Sequence, residues 1–168
     1  MKNVDVIWNG MTQTPEVKAS MACTKPYCNN AQVVVVKSVS AEQYREISNL
    51  HELTFYVEAG SAGEAAAMDK NLNVVSVDLQ TDALEEVQAH YQTACVIDLL
   101  MAGAMLGEGN SYPDLSYTLE LTKEKYVIGC RKGSDLKDFI NDAMERYRKD
   151  GSLQALAEEY GVQEAVIR

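Results

Sequence analysis

A chain of 168 residues, 46% of them hydrophobic, is long enough for one ordinary core or for two small lobes that share a hinge. Its 15 basic and 25 acidic residues leave a formal charge of -10, with no window of Lys and Arg able to neutralise a phosphate backbone, which argues against nucleic acid as a partner. The longest apolar runs, Val33 to Val36 and Leu99 to Leu106, fall short of a bilayer span, and Met1-Lys2-Asn3 leads into a strand without a secretory pattern.

Strand and helix signals alternate along the chain. Val4 to Trp8 reads as a short apolar strand, followed by Thr14-Pro15-Glu16, an N-cap with proline in the first turn, and a helix of about two turns. "AQVVVVK" reads as a buried strand, Ala41 to Ile47 as a helix, "LTFYVEAG" as a strand running into a glycine turn, and "SAGEAAAMDK" as a helix. "NVVSVDL" is a further strand, Thr81 is placed to cap a helix from Asp82 to Tyr91, and "TACVIDLL" is a strand that delivers Asp98 at its carboxyl end. This order implies an α/β fold with a parallel sheet and helices on both faces. Gly103 to Thr118, rich in Gly, Ser and Pro, reads as a connection between lobes, after which "KYVIGCRKG" resumes as a strand. Ser134 opens an amphipathic helix with apolar residues Leu136, Phe139, Ile140, Ala143, Met144 and Tyr147 at helical spacing and Gly151 at its C-terminal end. Ser152 to Tyr160 forms a last short helix stopped by Gly161.

Cys23, Cys28, Cys95 and Cys130 show neither the CxxC spacing of a zinc site nor neighbouring histidines, so no metal and no cofactor is expected. They read as small buried thiols, with a Cys23 to Cys28 disulfide across "CTKPYC" as the alternative.

The blocks "DVIWNGMTQTPE", "PYCNNAQVVVVK", "VEAGSAGEAA", "ACVID", "YVIGCRKGSDL" and "DGSLQALAEEYGV" follow one another in the order and at about the spacing of the family 3 extracellular solute-binding proteins, the polar amino acid receptors of ABC importers. The chain resembles about the last two thirds of that family's pattern. The resemblance implies a periplasmic-binding-protein-like fold of two α/β lobes, with crossover strands near Asn29 to Val34 and Lys125 to Arg131. Residues 33–125 would form a complete second lobe. Residues 1–32 and 126–168 would form the remainder of a first lobe without its initial strands and helix.

A free amino acid needs donors for its carboxylate and a carboxylate for its ammonium. The resemblance places Asp98 on the ammonium, with a helix cap as the other reading of that residue. In "AGSAG" it places the Ser61 hydroxyl and the amides of Ser61 and Ala62 on an anion, and on the first lobe it places Gly10, Met11 and Thr12, with Thr12 donating to the carboxylate. A strand-end turn is the plainer reading of each glycine-containing segment. The pattern departs at Val17, where the family has an arginine that forks onto the α-carboxylate. Truncating one partner of such a buried pair costs roughly 2 to 5 kcal/mol, enough to move affinity from micromolar toward millimolar. Lys18 is turned about 100° away on a helix and is a poor substitute. "CTKPY" departs too, with Cys23 and Lys25 where an aromatic and an acidic residue are usual.

The function implied is non-catalytic binding of a polar amino acid or similar solute, presented to a permease outside the cytoplasmic membrane, in the periplasm or at the cell surface. The alternative is a truncated or degenerate member that no longer binds ligand, or that associates with another chain, as a homodimer or strand-swapped dimer or with a separately encoded partner, to complete the first lobe. An enzyme reading, a dehydratase with Glu58 and Asp98 as cleft carboxylates, lacks a nucleophile and base, and His51 and His90 read as solvated side chains.

Overall fold

The computed structural model describes residues 4–167, so the expectation placed on Met1-Lys2-Asn3 lies outside the described residues. In chain order the elements are strand β1 (Val6–Thr12), helix α1 (Pro15–Ser20), and strands β2 (Ala22–Cys23), β3 (Cys28–Asn30) and β4 (Gln32–Lys37). Then come β5 (Thr54–Glu58), α2 (Ala62–Asp69), β6 (Asn73–Val77), α3 (Gln80–Ala89), β7 (Thr93–Asp98), α4 (Leu99–Met105) and β8 (Leu115–Glu120). The chain ends with β9 (Glu124–Cys130), α5 (Leu136–Lys149) and α6 (Ser152–Glu159). These elements group into two compact units, one built from the residues up to Asn30 and from Glu124 onward, the other from Ala31–Lys123.

The unit Ala31–Lys123 is a five-stranded sheet in the order β6-β5-β7-β4-β8. Its centre is the valine run of β4. Val33 and Val35 pack with Leu84, Val87 and Ile97 on one face, while Val34 and Val36 pack with Leu50, Phe55 and Ala67 on the other. A strand alternates its side chains between faces, so an unbroken valine run is the pattern of a strand covered on both sides. Helix α3 covers the first face and α2 the second.

The expected all-parallel sheet is corrected to a mixed one. β5 is parallel to both β6 and β7, whereas β4 is antiparallel to β7 and to β8. The alternating β5-α2-β6-α3-β7 stretch does specify parallel pairing, because each helix returns the chain to the same end of the sheet. Nothing in the composition of β4 or β8 carries their direction. The same finding corrects the reading of Gly103 to Thr118 as an interlobe connection: α4 runs to Met105, and β8 starts at Leu115, which is buried against β4. Two further starts differ. Ala41 to Ile47 is not an α-helix but 3₁₀ turns at Ser38–Tyr44 and Ile47–Asn49, where the Ser40 hydroxyl donates to the Lys37 carbonyl and local bonding competes with a helical ladder. Thr81 does not cap α3; the helix begins at Gln80, and the Asp82 carboxylate reaches back to accept from the Leu79 N–H at 3.1 Å.

The other unit centres on β9, to which β1, β2 and β3 all pair antiparallel. Thr14 caps α1 as expected, its hydroxyl oxygen accepting from the Val17 N–H at 3.2 Å, with Pro15 in the first helical position. Helix α5 starts at Leu136, two residues after Ser134, whose hydroxyl accepts from the Leu136 N–H. Gly151 follows α5 with φ +80°, a left-handed value that suits glycine after a helix. No residue of α5 is buried despite its apolar stripe, and the two extended core clusters among the described residues both belong to the unit Ala31–Lys123.

Candidate ligand-binding site

Asp98 ends β7 beside Gln32, its direct cross-strand partner on β4. Antiparallel partners project to the same face, and here the Gln32 Nε2 donates to Asp98 Oδ1 at 2.9 Å. From the start of α3, Gln80 Nε2 donates to Asp98 Oδ2 at 3.0 Å, and the Gln80 Oε1 accepts from the Asp98 backbone N–H at 3.3 Å. Asp98 occupies the N-cap position of α4 with extended backbone, yet its side chain makes no capping bond. Each carboxylate oxygen is held by a glutamine amide instead, so the carboxylate is oriented by β4 and α3.

The turn from β5 into α2 is braced with similar care. Gly60 takes φ +73°, and the Ser61 oxygen accepts from the Glu64 N–H at 3.0 Å. Glu64 in return accepts from the Gly60 N–H at 2.7 Å and from the Ser76 hydroxyl at 2.5 Å. These two bonds hold the Glu64 carboxyl below its usual range. Ser61, used here as an acceptor, keeps its hydroxyl proton for donation, and the Ala62 amide lies in the first turn, whose donors have no intrahelical acceptor. Gln32 brings this turn and Asp98 together. A Cβ built on Gly63 would lie 3.0 Å from Gln32 Oε1 and 3.4 Å from Ser61 Oγ, so the amide that holds Asp98 also lies against the first turn of α2. Parallel β5 and β7 end side by side, the usual place for a site in an α/β sheet.

Gly10, Met11 and Thr12 lie at the end of β1, where the pairing with β9 slips between Ile7 and Met11. Gly10 has φ +73°, and a Cβ there would approach the Tyr126 ring at 3.2 Å. The Met11 methyl packs beside Met21 over Gly129, where an added Cβ would lie 2.7 Å from it. Thr12 Oγ1 donates to Glu124 Oε2 at 2.9 Å, and Asn30 Nδ2 donates to the same oxygen at 3.2 Å. The proton expected to serve a ligand carboxylate is thus engaged within the protein. Val17 is half-buried on α1 and Lys18 is exposed. Trp8 packs edge-on against Tyr27 with centroids 6.1 Å apart, and Tyr27 lies 6.4 Å from Tyr126. Burial pushes the Tyr27 phenol up.

Gln32, Gln80 and Glu124, which bond to the candidate residues Asp98 and Thr12, were missed by sequence reasoning. The one signal was a glutamine heading an otherwise apolar strand. All four cysteines are free thiols; Cys28, Cys95 and Cys130 are buried, and burial raises the pKa of each. His90, just past the end of α3, faces Glu86 of that helix at 3.5 Å, and His51 is exposed. Among the described residues no three His, Cys, Asp or Glu side chains converge as a metal site.

The pattern of the bacterial extracellular solute-binding proteins, family 3, matches residues 1–163. The L-cystine-binding protein TcyJ of Escherichia coli is 26% identical over 166 residues, covering 95% of this chain and 60% of that protein. The arginine-binding extracellular protein ArtP of Bacillus subtilis is 23% identical over 164 residues, covering 95% of this chain and 64% of its own length. A mutant of ArgBP from T. maritima is similar in structure with a TM-score of 0.83 and 33% identity, over 94% of this chain and 69% of that one. The chain thus spans less than two thirds of the curated relatives it matches. The α/β, periplasmic-binding-protein-like two-lobe fold expected from the sequence is the fold of this solved structure.

Proposed function

Because the chain belongs to the bacterial extracellular solute-binding proteins, family 3, we propose that it binds a polar amino acid or similar small solute, without catalysis, for an ABC importer outside the cytoplasmic membrane. The observation that carries this reading is the Asp98 carboxylate at the end of β7, aimed by two neutral amides and set beside the first turn of α2. Asp98 receives the ammonium group. The Ser61 hydroxyl and Ala62 amide donate to the carboxylate, and Gly10, Met11 and Thr12 are the candidates in the lobe of residues 1–32 and 126–168, the lobe of 33–125 carrying the others. A permease receives the loaded protein.

A thermal-shift screen of the twenty amino acids, followed by calorimetry on any hit, tests the reading. Asp98→Asn is expected to weaken the hit by more than tenfold, since it replaces a charge-assisted contact by a neutral one, and to leave the protein folded. Unchanged affinity in Asp98→Asn would place the site elsewhere.

A second reading is favoured by α5, whose apolar stripe has no buried member, and by the exposure of Trp8, Phe139 and Tyr160 in the same unit. Association with another chain, as a homodimer or strand-swapped dimer, would cover these side chains. Light scattering that finds a monomer at every concentration would remove this reading.

A further inference from the structure

We infer that Gln80 is the positioning residue that fixes the direction of the Asp98 carboxylate, and through it the preference of the site for an ammonium group over a neutral one. The inference rests on the ligand reading proposed above. Its own ground is a closed ring of bonds. One planar amide both donates to Asp98 Oδ2 at 3.0 Å and accepts from the Asp98 N–H at 3.3 Å, so Gln80 grips the side chain and the backbone of one residue together. A carboxylate held by a single donor can swing about its Cβ–Cγ bond. Held at Oδ1 by Gln32 and at Oδ2 by Gln80, it has one plane.

The two glutamines are not equivalent. Gln32 is 2% exposed and paired across the sheet; its backbone N–H donates to Thr122 Oγ1 at 3.0 Å, and its amide oxygen lies against the α2 turn. Replacing it would disturb the sheet and the turn as well as Asp98. Gln80 is half-buried at the first position of α3, where a side chain is not needed for the core. It is also part of no capping bond, since Asp82 supplies that function. A role in aiming Asp98 is therefore the one that the geometry leaves to it.

Both donors are neutral amides, so they orient the carboxylate without cancelling its charge. An ionised carboxylate has about four lone-pair directions, and the plane that the two glutamines define sets where they point. A ligand ammonium meets a carboxylate whose plane is already set. A hydroxyl of the same shape offers one proton and no charge, and gains far less from a fixed carboxylate.

Calorimetry with L-arginine and with its α-hydroxy counterpart, in which an oxygen replaces the ammonium nitrogen, tests the role. Gln80→Met keeps the length of the side chain and removes both bonds; Gln80→Glu keeps the acceptor for the Asp98 N–H and sets a carboxylate against Asp98 Oδ2. L-Arginine is expected to weaken by about tenfold in Gln80→Met and by more in Gln80→Glu, with the hydroxy counterpart changing less than threefold in Gln80→Met. Equal losses for both compounds would mean that Gln80 acts on the fold at large and would overturn the inference. If the parent protein binds neither compound, the ligand reading fails for this probe and the clamp is judged by itself: the side-chain amide resonances of Gln80 should move in Asp98→Asn, and resonances that stay in place would overturn it.

Discussion

Gly63→Ala sets two effects of opposite sign against each other. Gly63 is buried in the first turn of α2, where alanine is the better helix former by at most about 1 kcal/mol. The new methyl carbon, however, would lie 2.8 Å from the Val96 carbonyl oxygen and 3.0 Å from Gln32 Oε1. The first of these is backbone at the centre of β7, which cannot rotate aside, and the second is tied to Asp98 through the same amide. Overpacking against fixed atoms belongs at the upper part of its usual range, about 2 to 3 kcal/mol. The net expectation is a loss of about 1 to 2 kcal/mol, expressed as a lower urea midpoint with an unchanged slope. The loss should also reach the site: the Gln32 amide has to yield, so its side-chain resonances should shift and amino acid binding should weaken with stability. A variant more stable than the parent, with Gln32 in place, would show that helix propensity prevails and that the approach of α2 to the sheet is looser than described.

The Glu64 carboxyl, held below its unfolded value of 4.5 by the Ser76 hydroxyl and the Gly60 amide, contributes stability that is present above that value and is lost as pH falls through the lower folded value. Acidification should therefore release the Gly60 amide, seen as a shift of its resonance, and Glu64→Gln should flatten that response; an identical acid titration of Gly60 in the variant would contradict the brace. Thiol labelling of the native protein should modify Cys23 alone, because Cys28, Cys95 and Cys130 are at most 4% exposed and their thiols are disfavoured as thiolates by burial. Four thiols reacting at one rate without denaturant would refute the burial of the other three.

The parts of the fold that were legible in the sequence are those whose signal is local. The valine run of β4, the βαβαβ rhythm from Thr54 to Asp98, the Thr14-Pro15 cap and Gly151 after α5 each depend on residues a few places apart. What was missed depends on distant partners. Leu115 to Glu120 becomes a strand only because β4 offers an edge about 80 residues earlier, and the direction of β4 is set by that pairing rather than by its own residues. The site divides in the same manner. An aspartate at a strand end and a serine after a glycine can be picked out in one dimension. Gln32 and Gln80 meet Asp98 across 66 and 18 residues, and Thr12 meets Glu124 across 112, so no spacing rule could have linked them.

The two groups of candidate ligand contacts are unequal, and this sets where binding energy should reside. In the unit Ala31–Lys123 the acceptor is aimed by two donors and the turn that faces it is braced, so little reorganisation is required before a ligand is met. In the other unit the Thr12 proton is held by Glu124, the Met11 side chain covers Gly129, and Val17 carries no charge where the resemblance places an arginine. A ligand carboxylate that takes the Thr12 proton must displace one carboxylate in favour of another, an exchange with almost no net gain. Thr12→Ala should consequently change amino acid affinity by less than about threefold, since Glu124 keeps its bond from Asn30 and the exchanged bonds nearly cancel. Asp98→Asn, by contrast, should lose more than tenfold. Comparable losses in the two variants, measured by calorimetry with the same amino acid, would mean that Glu124 releases Thr12 when ligand binds and would overturn this ranking.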